Sequence, residues 1–273
     1  MLAAAAFCPH PPLIVPEVAA GAAAELDGLR AACDLAVAWM LAARPVLVVV
    51  VGAGPVAARW TAGAAGTLAG YGVDVTVPLD GQAGHGGTGL PLSVTVGAWL
   101  LARAGWAGER VAVTVPAAAS DSELSDVAAQ VVGEAGLATD LAAWLAGSTA
   151  PPMATQPDAA PAGGLGLLVM GDGSARRSAA APGYVDGRAA GFDSAVAAAL
   201  AAADTAALRV LDPGLGAELL AAGVPAWRLA GHVGARAGGG LTGTLHHHEA
   251  PYGVGYLVAS WTRADRARAG GAS

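Results

Sequence analysis

The chain has 273 residues, 55% of them hydrophobic, with 14 basic against 21 acidic residues and a formal net charge of −7. That balance argues against a nucleic-acid partner, which requires a basic face to displace counterions from phosphates. The apolar content does not indicate a membrane protein either, because much of it is alanine and Gly and Pro interrupt every stretch before the ~20 residues of a bilayer span.

Length alone allows one large domain or two small ones, and either is big enough to bury a core without staples. Cys8 and Cys33 make neither a disulfide framework nor a metal-binding pair, and are expected to be buried thiols in a reducing cytosol. Met1 to Phe7 is apolar but lacks a basic n-region, and Cys8-Pro9-His10-Pro11-Pro12 interrupts it where a leader's apolar core would continue. The expectation is a soluble, cytoplasmic protein without a cleaved signal. There is no lysine and no asparagine, a bias of the kind a GC-rich genome produces, so Ala–Gly clusters carry little meaning as motifs.

In chain order, residues 2–7 read as a strand that delivers His10 into a stiff loop, Cys8-Pro9-His10-Pro11-Pro12. Glu17 to Leu41 carries Leu26, Leu29, Cys33, Val37 and Met40 at helical spacing. Val46 to Val51 is aliphatic without alternation, as suits a parallel strand covered on both faces. After the turn Gly52-Ala53-Gly54-Pro55, a helix is expected over Val56 to Gly70 and a strand over Val73 to Val77. The glycine-rich loop Gly81 to Gly89 around His85 precedes a helix over Pro91 to Ala104. Arg110 to Val115 is a second valine-rich strand. Ser120-Asp121-Ser122-Glu123 is a capping box that opens a helix through Val132, with a second helical piece over Ala138 to Leu145.

Residues 147–164 are Pro/Ala-rich and read as an exposed loop within one fold. Leu165 to Met170 is a further buried strand, ending in Gly171-Asp172-Gly173-Ser174. Helices follow over Arg188 to Leu208, Leu215 to Ala222 and Ala226 to His232. Leu241 to His246 and Gly253 to Trp261 read as closing strands, and about 264–273 as a flexible tail. Alternating strands and helices predict an α/β protein, a single domain over 1–273 with a mainly parallel (mixed) sheet between helical layers.

Ligands of such sheets bind at the carboxyl ends of strands. His10 is restrained by the proline after it, the kind of preorganisation that a metal ligand or acid–base group needs; a hydrogen-bonded bystander is the other reading. Asp172 and Ser174 follow a strand and are candidates to line a pocket, although Asp and Gly are also ordinary turn residues. In His246-His247-His248-Glu249, alternation would put His246 and His248 on one face; a polar loop between strands is the favoured account. His85 and His232 have the same open status.

These segments together resemble the class III extradiol ring-cleavage dioxygenase (LigB-like) family. The resemblance rests on Phe7-Cys8-Pro9-His10-Pro11-Pro12-Leu13, Val46 to Val51 with its turn, and Gly89 to Trp99 (GLPLSVTVGAW). It continues in Gly171-Asp172-Gly173-Ser174, Ala181 to Asp186 (APGYVD) and Ala250 to Tyr256 (APYGVGY), in the family's order along almost the whole chain. It implies a three-layer α/β/α sandwich and, in catalytic members, an oxidoreductase site in which Fe(II) or another divalent metal is held by two histidines and a carboxylate. A small catecholic or related aromatic would be the substrate, and a homo-oligomer is compatible with the family. The first metal histidine falls on His10, the second near Ala53 and the acid–base histidine on Ala175, neither of which carries an imidazole. His85 is the substitute by position, and Glu249 the candidate carboxylate. Two expectations follow: a rearranged metal-dependent enzyme, or a descendant that keeps the fold for small-molecule binding or assembly.

Overall fold

Val48, Val49, Val50 and Val51 are all fully buried, which a strand achieves only when both faces of its sheet are covered. The computed structural model of the chain describes residues 1–81, 87–147 and 163–263. Its first half runs β1 (Leu2–Cys8), α1 (Pro16–Ala19), α2 (Asp27–Ala42), β2 (Leu47–Ala53), β3 (Ala58–Trp60), β4 (Ala64–Thr67), β5 (Thr76–Pro78), β6 (Gly87–Thr88) and α3 (Leu92–Arg103). The second half runs β7 (Arg110–Val115), α4 (Asp121–Gly147), β8 (Leu165–Met170), α5 (Ala189–Ala202), α6 (Thr205–Arg209), α7 (Pro213–Glu218), α8 (Val224–Arg236), β9 (Leu241–Glu249) and β10 (Tyr256–Arg263).

The main sheet has the order β3-β7-β2-β8-β1-β10-β9. Its centre, β7, β2, β8 and β1, is parallel, whereas β10, β9 and β3 each run antiparallel to their inner neighbour. Successive side chains feed two separate cores. Phe7, Val49, Val51, Leu167 and Val169 pack with α4, α5 and α8, where Trp227 and Trp261 are the largest buried side chains. Ala6, Val48, Val50, Leu168 and Met170 pack with α2 and α3. The result is the three-layer α/β/α sandwich expected, and each fully buried Val or Leu contributes about 1.5–3 kcal/mol to it. Among the described residues, no helix is long and apolar enough to cross a membrane.

Several elements differ from expectation for identifiable reasons. Val56 to Gly70 is not a helix: it forms β3, which closes the sheet edge against β7, and β4, which belongs to a small sheet of order β5-β4-β6. Gly63 takes a left-handed φ of 86°, and Trp60 donates from Nε1 to the Thr114 hydroxyl, contacts that outweigh the helical propensity of alanine. Of the strand expected over Val73 to Val77, only Thr76 and Val77 are strand, as part of β5 in that side sheet. The helix expected over Glu17 to Leu41 breaks at Ala20, with φ 47°, and a 3₁₀ stretch leads into α2. There the buried Arg30 donates to the carbonyls of Ile14 and Ala23 and fixes this turn beneath the His10 loop. The capping box forms as expected, Glu123 accepting from Ser120 N–H at 2.7 Å, but α4 runs through Gly147 as one helix. The helix expected over Arg188 to Leu208 divides at Ala203, also left-handed, where Asp204 caps α6. The expected loop at 147–164 lies mostly, and the tail at 264–273 wholly, outside the described residues.

Helix α8 meets the start of α4 through His232, whose Nε2 lies 2.9 Å from Asp121 Oδ1. Burial lowers the pKa of His232, with Asp121 opposing and Arg209 and Arg228 reinforcing that shift; burial also lowers His246 and His247. A histidine with a depressed folded pKa binds fewer protons folded than unfolded, so its contribution is intact above about pH 6.5 and is lost as pH falls through the lowered value. Urea midpoints should therefore drop between about pH 7 and pH 5. His232→Leu should flatten part of that drop. An unchanged slope in the variant would remove His232 from the acid response.

Candidate functional site: a cleft at the carboxyl edge of the sheet

Parallel strands deliver their carboxyl ends to one edge. β1 and β8 end level with each other, Cys8 opposite Met170, and Gly171 N–H donates to the Cys8 carbonyl at 2.9 Å. Two residues on, the chains are tied again: His10 N–H donates to Asp172 Oδ1 at 2.7 Å. The His10 ring sits beside the same carboxylate, with Nδ1 3.7 Å from Oδ1, too far for a hydrogen bond. That Nδ1 is buried and has no hydrogen-bond partner, and His10 as a whole is only 7% exposed.

β10 runs the other way and begins at this same edge with Tyr256. The segment before it pairs with the turn after β8: Gly173 N–H donates to the Gly255 carbonyl, and Gly255 N–H donates to the Ser174 carbonyl. Beneath this pairing lies Asp193 of α5, with no exposed surface. It accepts from Ser174 N–H and Ser174 Oγ, each at 2.8 Å, and from Arg177 Nη1 at 2.9 Å. A Cβ on Gly173 would come within 2.8 Å of Asp193 Oδ1, so glycine there permits the carboxylate to reach the loop. Ser174, expected to line a pocket, is instead turned inward to satisfy Asp193. Its hydroxyl is wholly buried and supports the loop from below.

Above the loop is a cleft of about 320 Å³ whose lining includes Pro11, Leu13, Asp172, Ala175, Tyr252 and Tyr256. Asp172 lines it as expected, its side chain 15% exposed. Tyr252 donates from its hydroxyl to Glu25 Oε2 at 2.7 Å, tying the β9–β10 turn to the stretch before α2, and that bond raises its pKa, with burial adding to it. Burial first, and then the charge of Asp172, push the Tyr256 phenol well above its ordinary value. Tyr256 is therefore a neutral hydroxyl at the cleft.

The remaining candidates do not converge on this place. His85 lies outside the described residues. His246, His247 and His248 are not in a loop; they belong to β9. A bulge at His246 breaks the alternation there, because His247 pairs with Val258 but Leu245 pairs with Ala259. His246 and His247 consequently face α2, as the Trp39–His246 ring contact and the His246–Ser260 hydrogen bond show. His248, opposite Leu257, points to the other side. Glu249 is exposed at the end of this edge strand, with β10 between it and β1. His232 is engaged with Asp121 beneath the sheet.

The described residues do not complete the two-histidine, one-carboxylate set that the resemblance implies, and His85 lies outside them. Ala53, where the resemblance would put the second histidine, has no ligand atom in its side chain, and its carbonyl accepts from Ser93 Oγ at 2.7 Å. Ala175, where the resemblance would put the acid–base histidine, lines the cleft. Among the described residues, no three His, Cys, Asp or Glu side chains gather in a way that could hold a metal ion. The orphaned Nδ1 of His10 has the Asp172 carboxylate beside it, but no third donor joins them among the described residues. Comparison with known proteins adds no assignment: no family model matches the chain, and no curated protein matches it.

The sequence alone does not single out Asp193, Tyr252 or Tyr256. For Asp193 a signal is present, a lone carboxylate within the alanine-rich stretch Gly191-Phe192-Asp193-Ser194-Ala195, since a buried acid requires partners. Asp193→Ala should lower unfolding stability by about 3 kcal/mol, as for a broken buried ion pair whose arginine keeps some hydration. Urea denaturation measures this; a loss below about 1 kcal/mol would show that the network does not hold the loop.

Proposed function

We propose that the chain is a class III extradiol dioxygenase-like (LigB-like) protein that has kept the fold and the strand-edge cleft as a binding site for a small, ring-sized molecule. The observation that carries this reading is the cleft itself, about 320 Å³ in volume, with one carboxylate and two tyrosines in an otherwise apolar wall. That volume is at the small end of ligand pockets. The three-layer fold is the one the resemblance implies, and this supports the family. The alanines at positions 53 and 175 support binding over iron-dependent ring cleavage. His10 positions the site, its backbone N–H fixing the Asp172 carboxylate. Asp172 and Tyr256 supply an acceptor and a neutral hydroxyl for a ligand's polar group, and Pro11, Leu13, Leu220 and Val254 surround the apolar body. The two buried, free thiols Cys8 and Cys33 support a cytoplasmic location.

Isothermal titration calorimetry with 2-phenylethanol, a neutral ring-sized probe, should give saturable binding that Val254→Trp abolishes by filling the cleft. Absence of binding in the unmodified protein would contradict the reading. In parallel, protein purified anaerobically with Fe(II) should contain well under one equivalent of iron, unchanged in His10→Ala. One iron per chain that disappears in that variant, with ring-cleavage absorbance from catechol, would restore the metalloenzyme reading.

A further inference from the structure

The polarity of the cleft goes further than its size. Among its lining residues, Asp172 is the one acidic side chain and none is basic. Its Oδ1 accepts from His10 N–H, and the described residues make no other hydrogen bond to the carboxylate. Among the described residues no lysine or arginine pairs with it, and the one ring nitrogen beside it, His10 Nδ1, stands 3.7 Å from Oδ1, beyond hydrogen-bond reach. The chain has no lysine, and the two arginines that follow in the same loop are committed elsewhere. Arg177 pairs with Asp193, and Arg176 donates to the Tyr184 carbonyl. A carboxylate in a partly buried, apolar setting, with no lysine or arginine partner among the described residues and only the His10 ring beside it, is suited to a counter-ion from the ligand. The aromatic side chains Tyr252 and Tyr256 line the same space, and aromatic faces attract ammonium groups. Tyr256 stays a neutral phenol, so it adds no second negative charge.

We propose that the cleft selects a protonated amine on a compact apolar body, with Asp172 as its counter-ion. This rests on the small-molecule reading above and names its ligand class. It runs against an anionic ligand, whose charge would face Asp172 across a cleft with no basic side chain in its lining. The amine occupies the open side of the carboxylate, and the apolar body lies along Leu13, Leu220 and Val254.

The test compares three probes of one shape by calorimetry at neutral pH: phenethylamine, 2-phenylethanol and 3-phenylpropanoate. Phenethylamine should bind at least about tenfold more tightly than the alcohol, as a charge-assisted hydrogen bond implies, and phenylpropanoate most weakly. Asp172→Asn should erase the preference for the amine while retaining the alcohol. The ranking in the unmodified protein decides the matter even where that variant does not fold. Equal or tighter binding of the alcohol or the carboxylate would overturn the amine assignment and leave the small-molecule reading intact. An amine preference that survives in folded Asp172→Asn would remove Asp172 as counter-ion and overturn the proposal. Failure of all three probes to bind would overturn both.

Discussion

The hydrogen bond from His10 N–H to the Asp172 carboxylate joins the ends of two parallel strands after their backbone ladder has stopped. Everything chemical in this molecule depends on it. A parallel sheet of fixed register brings Cys8 beside Met170, and the next two residues of each strand diverge only as far as this bond allows. Proline on both sides of His10 limits its backbone, so one interaction sets the orientation of the ring, the carboxylate and the cleft wall together. A carboxylate that accepts a main-chain N–H on one oxygen presents its other oxygen to the open side.

Support for that arrangement comes from below, through a second carboxylate with a different task. Asp193 is fully buried, and its partners are the backbone and hydroxyl of Ser174 and the guanidinium of Arg177. Desolvating such a group is costly unless hydrogen bonds and an opposite charge compensate, and here both are supplied by the loop that forms the cleft floor. The two acids are thus distinguished by partners: Asp193 pairs with Arg177 inside and holds structure, whereas Asp172 has no lysine or arginine partner among the described residues and lines the cleft.

Much of the architecture is legible from residues alone because the central strands carry no alternation. Arg110 to Val115 and Leu165 to Met170 have the same bounds in sequence and structure, since runs buried on both faces read the same whichever neighbours cover them. Val56 to Gly70 reads wrongly as a helix because its alanines favour one locally, while the contacts that fix it, Trp60 to Thr114 and the register of β3 on β7, are long-range. The His246 bulge is not legible either, because bulges depend on the partner strand. At the site, the stiff His10 loop and the glycine-flanked Asp172 point to the correct edge. Ser174 looks identical to a pocket residue in sequence, and only the position of Asp193, on a helix 19 residues onward, shows that it faces inward.

The family resemblance and the site thus speak to different levels. The fold follows the resemblance, whereas at positions 53 and 175, where it would put imidazoles, the chain has alanines. Crystals grown anaerobically with Fe(II) and phenethylamine, with diffraction recorded at the iron edge, test this most directly. The account predicts organic density against Asp172 and Tyr256 and no anomalous peak beside His10. An iron peak bonded to the His10 imidazole and to further protein ligands would contradict it.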